Sequence, residues 1–146
     1  MARVVIAEDD PDLLESYSRI LARAGHDVVQ CPDGSAGLTC VREHRPDLLL
    51  ADVVMPGMTG LELASAVKAD PELAEIPIIL VTGGWAEMDA AELPKVARLL
   101  RKPVAPQDLV GQVESVLADG RRYHVWLPSQ RTQPADDSTA VTGQER

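Results

Sequence analysis

The run Asp47-Leu48-Leu49-Leu50-Ala51-Asp52-Val53-Val54-Met55-Pro56-Gly57 decides how the rest of the chain is read. Its apolar residues follow one another without the alternation of a half-exposed strand, so the run predicts a strand covered on both faces, and Pro56-Gly57 ends it. Asp52 then stands at the carboxyl end of that strand. In an open parallel sheet this is the end where ligands bind. An Asp in such a place also starts turns, and taken alone the turn is the stronger explanation. The remaining segments decide between the two.

Working outward, Val4-Val5-Ile6-Ala7 is a short apolar strand that stops at Glu8-Asp9-Asp10-Pro11. Pro11 fits the first turn of a helix and Asp10 its N-cap. Leu13, Tyr17, Ile20, Leu21 and Ala24 recur at helical spacing as far as a stop at Gly25. Residues 27–31 read as a second strand, followed by the turn Pro32-Asp33-Gly34 and a helix over 35–44, with Gly37 an awkward residue inside it. Beyond the opening run, residues 61–69 form a helix ended by Asp70-Pro71, and 76–82 form a fourth buried strand that leaves through Gly83-Gly84. A short helix over 86–93 stops at Pro94. Residues 96–101 read as the fifth strand, closed by Lys102-Pro103, and 106–118 as a last helix with Leu109, Val113, Val116 and Leu117 on its inner stripe.

The length of 146 residues suits one domain, placed at 1–118, and a C-terminal segment over 119–146 that reads as largely disordered. Tyr123, Val125, Trp126 and Leu127 interrupt the polar character of that segment. A formal charge of −9 argues against nucleic-acid binding, since a phosphate backbone calls for a basic surface, and favours protein or metal partners. Cys31 and Cys40 have neither the density of a disulfide scaffold nor paired metal-ligand spacing, and read as reduced structural thiols. His26, His44 and His124 are widely spaced and read as surface or turn residues. No apolar stretch approaches the ~20 residues of a membrane helix, and a cytoplasmic, soluble protein is expected.

Strands alternating with helices imply an α/β fold, here a flavodoxin-like, doubly wound, five-stranded parallel sheet of order 2-1-3-4-5 with helices on both faces. That order sets strands one and three side by side, which brings Glu8 and Asp9 next to Asp52. Thr82 and Lys102, at the ends of strands four and five, flank the same place. Like charges ~4 Å apart repel by about 4 kcal/mol at an effective dielectric of 20, so the acids need neutralising. A hard divalent cation, Mg²⁺ or Mn²⁺, suits a carboxylate cluster without His or Cys. With a cation and the Lys102 ammonium converging on it, Asp52 can act as a nucleophile toward phosphorus, and the product is an aspartyl phosphate.

Taken together, Glu8-Asp9, Asp52 with Met55-Pro56-Gly57 and Gly60, Thr82-Gly83 and Lys102-Pro103 resemble the receiver domain of two-component response regulators over residues 3–118. The order of these motifs, each at the end of a predicted strand, carries the resemblance. It implies that Asp52 is the phosphoacceptor, that Glu8, Asp9, Asp52 and the backbone carbonyl of Val54 hold the metal, and that Thr82 and Lys102 contact the phosphoryl group. It also implies a cis peptide before Pro103 and a histidine kinase or histidine phosphotransfer protein as the phosphoryl source. Such a domain catalyses only its own phosphorylation and dephosphorylation, and is not otherwise an enzyme. Two departures stand out. Leu99 occupies the position where the family usually has an aromatic, and the segment between Thr82 and Lys102 is short and contains Pro94.

Three other readings share parts of this pattern. A flavodoxin would place a flavin phosphate at the loop after strand one, where Glu8-Asp9-Asp10 would repel it. A phosphatase of the haloacid dehalogenase type needs a second Asp two residues after the nucleophile, and Val54 stands there. A receiver-like adaptor that works without phosphorylation has no use for all five polar positions. The receiver reading is the one the residues favour.

Overall fold

The computed structural model describes residues 2–83 and 96–119, so the helix expected over 86–93, the Gly84-Trp85 pair and the segment 120–146 lie outside the described residues. The elements are β1 (Arg3–Ala7), α1 (Pro11–Arg23), β2 (Asp27–Cys31), α2 (Gly34–His44), β3 (Leu48–Asp52), α3 (Gly60–Ala69), β4 (Ile78–Thr82), β5 (Arg98–Arg101) and α4 (Pro106–Asp119). The strands form one sheet of order β2-β1-β3-β4-β5. Every pairing is parallel, as the sequence predicts.

The unbroken apolar runs have a direct cause. Successive strand residues point to opposite faces, so both parities must be apolar where both faces are covered. Val5, Ala7, Leu49, Ala51, Ile78 and Leu80 face a layer that includes Leu38 and Val41 of α2 and Leu63 and Val67 of α3. Val4, Ile6, Leu48, Leu50, Ile79 and Val81 face the other layer, with Leu14 and Leu21 of α1 and Leu109, Val113 and Val116 of α4. Each of the three leucines of β3 is buried, and each such burial stabilises the fold by about 1.5–3 kcal/mol.

Local signals fix the helix ends. The Asp10 carboxylate accepts from the Asp12 N–H at 2.9 Å and caps α1, and Gly25 adopts φ +99° just past the helix, a conformation that favours glycine. At the start of α3 the Thr59 hydroxyl accepts from the Glu62 N–H at 3.1 Å, while Glu62 Oε1 accepts from the Thr59 N–H at 3.0 Å. This reciprocal pair is a capping box. Gly37 has a packing reason: a Cβ there would lie 3.0 Å from the Ala7 side chain, so its absence lets α2 lie close on β1.

Several expectations shift by a residue or two. The buried residues of α1 are Leu14, Tyr17, Ser18 and Leu21, while Leu13 and Ile20 pack at its margin. Ser18 is accommodated inside because its hydroxyl donates to the Leu14 carbonyl at 2.6 Å. The helix of 35–44 starts one residue earlier, at Gly34, under an Asp33 cap. β4 begins at Ile78 rather than 76, since Pro77 has no N–H to give the ladder, although its carbonyl still accepts from the Leu49 N–H at 3.0 Å. β5 begins at Arg98 rather than 96. His26 corrects the surface reading: its side chain is only 6 % exposed, held by the Ala2 N–H that donates to Nδ1 and by its place against α4. Cys31 is buried and Cys40 half-buried, and both are free thiols. Among the described residues no helix is long and apolar enough to cross a membrane.

Candidate functional site

Because β1 and β3 are neighbours, with Ala7 opposite Ala51, the residues that follow them are forced together. One carboxylate oxygen from each of Glu8, Asp9 and Asp52 lies within 4.8 Å of the others. Glu8 and Asp52 are buried, and Asp9 is exposed at the rim. Asp10, next in sequence, lies outside this group and caps α1 instead. Lys102, just past β5, reaches across: its Nζ lies 2.8 Å from Asp52 Oδ1 and 3.6 Å from Glu8 Oε1. The Lys102-Pro103 peptide is cis, as the family resemblance implies.

Thr82 closes β4 and is fully buried, and its carbonyl accepts from the Lys102 N–H at 2.8 Å, which ties the ends of β4 and β5 together. Val54 is 57 % exposed, two residues past Asp52, and its backbone N–H favours the charged form of the Asp52 carboxylate. The backbone behind Asp52 is held from two sides. The Val53 N–H donates to the Val81 carbonyl at 2.8 Å, and the Val53 carbonyl accepts from Gly60 at 2.9 Å. Gly60 has to be glycine here, because a Cβ would collide with the Asp52 carbonyl oxygen.

Burial sets the electrostatics. It pushes the Glu8 carboxyl up to about 7, with the Asp52 charge adding to the rise and Lys102 and the Asp10 N–H opposing it. Burial also raises Asp52, although the Lys102 ammonium and the Val54 N–H pull the other way. For Lys102, burial favours the neutral amine, but the Asp52 and Glu8 carboxylates outweigh it and the ammonium is held above its usual range. One ammonium faces three carboxylates, so the site retains negative charge. Glu8 Oε1 is buried with no hydrogen-bond partner. An all-oxygen cluster with an unsatisfied inward-facing carboxylate oxygen fits a hard divalent cation, which would satisfy that oxygen and offset the repulsion.

All five polar positions singled out from the sequence, Glu8, Asp9, Asp52, Thr82 and Lys102, thus lie at the carboxyl edge of the sheet. Tyr17 is an addition. It reads from sequence as part of the core stripe of α1, yet it feels the charges of Lys102, Glu8 and Asp52, and burial raises its hydroxyl pKa. Helical spacing reports only that it faces inward, and nothing in the sequence says how near that inward face comes to the acids.

Comparison with known proteins bears on the same stretch. A family model described as the response regulator receiver domain matches residues 4–114. Protein PilH of Pseudomonas aeruginosa is 32 % identical over 120 residues, spanning 81 % of this chain and 99 % of PilH. The response regulator receiver protein CpdR of Brucella abortus is 36 % identical over 120 residues, spanning 80 % of this chain and 98 % of CpdR. The DNA-binding response regulator MtrA of Mycolicibacterium smegmatis is 36 % identical over 117 residues, which are 79 % of this chain but only 50 % of MtrA, so the chain spans about half of that relative's length. Among solved structures, the chemotaxis response regulator CheY4 of Vibrio cholerae superimposes with a TM-score of 0.71 at 28 % identity, over 79 % of this chain and 98 % of that one. The sheet order, the family match and the similarity to whole receiver proteins agree, and the chain belongs to the response regulator receiver domain family of two-component signalling.

Proposed function

We propose that Asp52 accepts a phosphoryl group from a phosphohistidine on a histidine kinase or histidine phosphotransfer protein. An Asp52 carboxylate oxygen attacks phosphorus, the phosphorus–nitrogen bond breaks, and the leaving imidazole nitrogen keeps the electron pair and takes a proton. Lys102 orients the Asp52 carboxylate beforehand and then balances the dianionic product, and the Thr82 hydroxyl donates to a phosphoryl oxygen. Glu8, Asp9, Asp52 and the Val54 carbonyl would hold Mg²⁺ or Mn²⁺. Such a cation supplies charge neutralisation for the carboxylates and the transferring phosphoryl oxygens. Hydrolysis of the acyl phosphate resets the domain, so its catalysis is confined to its own phosphorylation state.

One observation carries this reading: Lys102 Nζ at 2.8 Å from Asp52 Oδ1, inside a cluster whose three carboxylate oxygens lie within 4.8 Å of one another. The domain spans 1–118, acts in the cytoplasm, and passes its signal through protein contacts. DNA binding, part of the printed name of MtrA, is not carried over, because a charge of −9 opposes a phosphate backbone. Incubation with acetyl phosphate and Mg²⁺, followed by intact mass, tests the reading. A single phosphoryl adduct is expected. No adduct under any divalent cation would favour the phosphorylation-independent adaptor.

A further inference from the structure

At the opposite, amino edge of the sheet a cavity of about 690 Å³ opens between the strand starts and α4. Its volume is in the range of sites that hold small ligands. Four carboxylates line it, Asp47, Glu72, Glu75 and Glu114, against one guanidinium, Arg45. Ile76, Pro77 and Leu117 add apolar side chains to the lining. His26 supplies an independent sign that a ligand belongs there. Its side chain lines the cavity, is 6 % exposed, and has no hydrogen-bond partner at Nε2. Since Nδ1 accepts from the Ala2 N–H at 3.3 Å, Nε2 is the nitrogen that carries the proton. Glu114 Oε2 is 3.6 Å away, too far to accept it well. A buried donor is therefore left wanting an acceptor.

We propose that this cavity binds the chain's own segment Arg121-Arg122-Tyr123-His124-Val125-Trp126-Leu127, which begins two residues after the end of α4. Three features choose this occupant. The first is charge: two consecutive arginines meet a wall of net negative charge, and Arg suits bidentate pairing with carboxylates. The second is pattern, for Tyr123, Val125, Trp126 and Leu127 are the apolar residues of this segment, and Ile76, Pro77 and Leu117 in the lining offer them apolar contacts. The third is tethering. Leu117 lines the cavity, and the four residues from there to Arg121 span at most about 14 Å, so the arginines cannot go far from its wall. A short tether gives an effective concentration of ~1 mM, so even an intrinsic affinity of only ~0.1 mM leaves the site about nine-tenths filled. The docked segment brings backbone carbonyls and the Tyr123 hydroxyl as acceptors for His26 Nε2–H.

Trp126 reports on this directly. In the full chain carrying Trp85→Phe it is the only tryptophan. Docking predicts a blue-shifted emission and acrylamide quenching about threefold weaker than in a peptide of residues 120–128. Arg121→Glu with Arg122→Glu should raise quenching to the peptide's value, Glu75→Lys with Glu114→Lys should do the same, and the combined charge swap should restore protection. In the otherwise unaltered chain, the arginine double variant should also move the amide resonances of Ala2, His26 and Glu114. Quenching equal to the free peptide, protection that survives both reversals, or amide resonances that ignore the arginines would each overturn the proposal.

Discussion

Both edges of the sheet gather carboxylates, and they are not alike. At the carboxyl edge Glu8 and Asp52 are buried, three oxygens converge within 4.8 Å, and one ammonium answers them. At the amino edge the acids stand apart in a wide cavity. The Glu114 side chain is 53 % exposed, and Glu72, at 69 %, meets the Arg45 guanidinium in water. The same chemical group is thus buried and raised in pKa at Glu8 and Asp52, whereas at the other edge Glu72 and Glu114 keep more than half of their side chains exposed. Convergence and desolvation make the difference.

The comparison can be broken at four points. The largest effect expected is at the proposed acceptor: Asp52→Asn should abolish the phosphoryl adduct expected by intact mass, while Asp47→Asn at the far edge should leave it unchanged. Next, Asp9→Ala should weaken Mg²⁺ binding by about a hundredfold, ~2.7 kcal/mol, in a titration followed by calorimetry. Asp10→Ala should leave the cation nearly untouched and instead cost about 1 kcal/mol of stability through the lost cap.

Third comes pH. The folded Glu8 carboxyl sits near 7 against an ordinary 4.5, so the folded state binds the proton more tightly than the unfolded chain does. Stability from this group is present below about 4.5 and is lost as pH rises through 7, on the order of 3 kcal/mol, in denaturant melts without divalent cation. Saturating Mg²⁺ should flatten that slope. The smallest effect belongs to the amino edge, where Glu72→Gln removes the exposed pair with Arg45 and should change stability by about 0.5 kcal/mol or less. A larger loss there would mean that the two edges differ less than their exposure says.

Much of the carboxyl edge was legible in the sequence, because each polar site residue interrupts or terminates an apolar run. Asp52 and Thr82 are marked in this way and Lys102 by the Pro103 that follows it at the end of β5, and parallel topology then converts separate strand ends into one place. The amino edge was not legible. Its cavity is assembled from the starts of several strands, the turn around Glu72 and the face of α4, and no two of these are linked by a spacing rule. His26 failed for a related reason, since a single histidine has no periodicity from which burial can be read. The off-by-one in α1 is a different kind of miss: Leu13 and Leu14 are adjacent leucines, and both fit a stripe with Tyr17 and Leu21 until the helix is docked.

The contact between Gly60 and the Asp52 carbonyl has a mechanical meaning. With Val53 tied to β4 on one side and to the first residue of α3 on the other, the chain under the carboxylate is clamped like work in a vice. A new negative charge at Asp52 cannot be relieved by recoil of its own backbone. On the proposed phosphorylation of Asp52, the displacement is expected in what faces it, the Lys102 side chain and the end of β4 at Thr82. A seat held from both sides is therefore expected to act as a rectifier for the proposed phosphorylation, directing its effect outward toward Lys102 and Thr82.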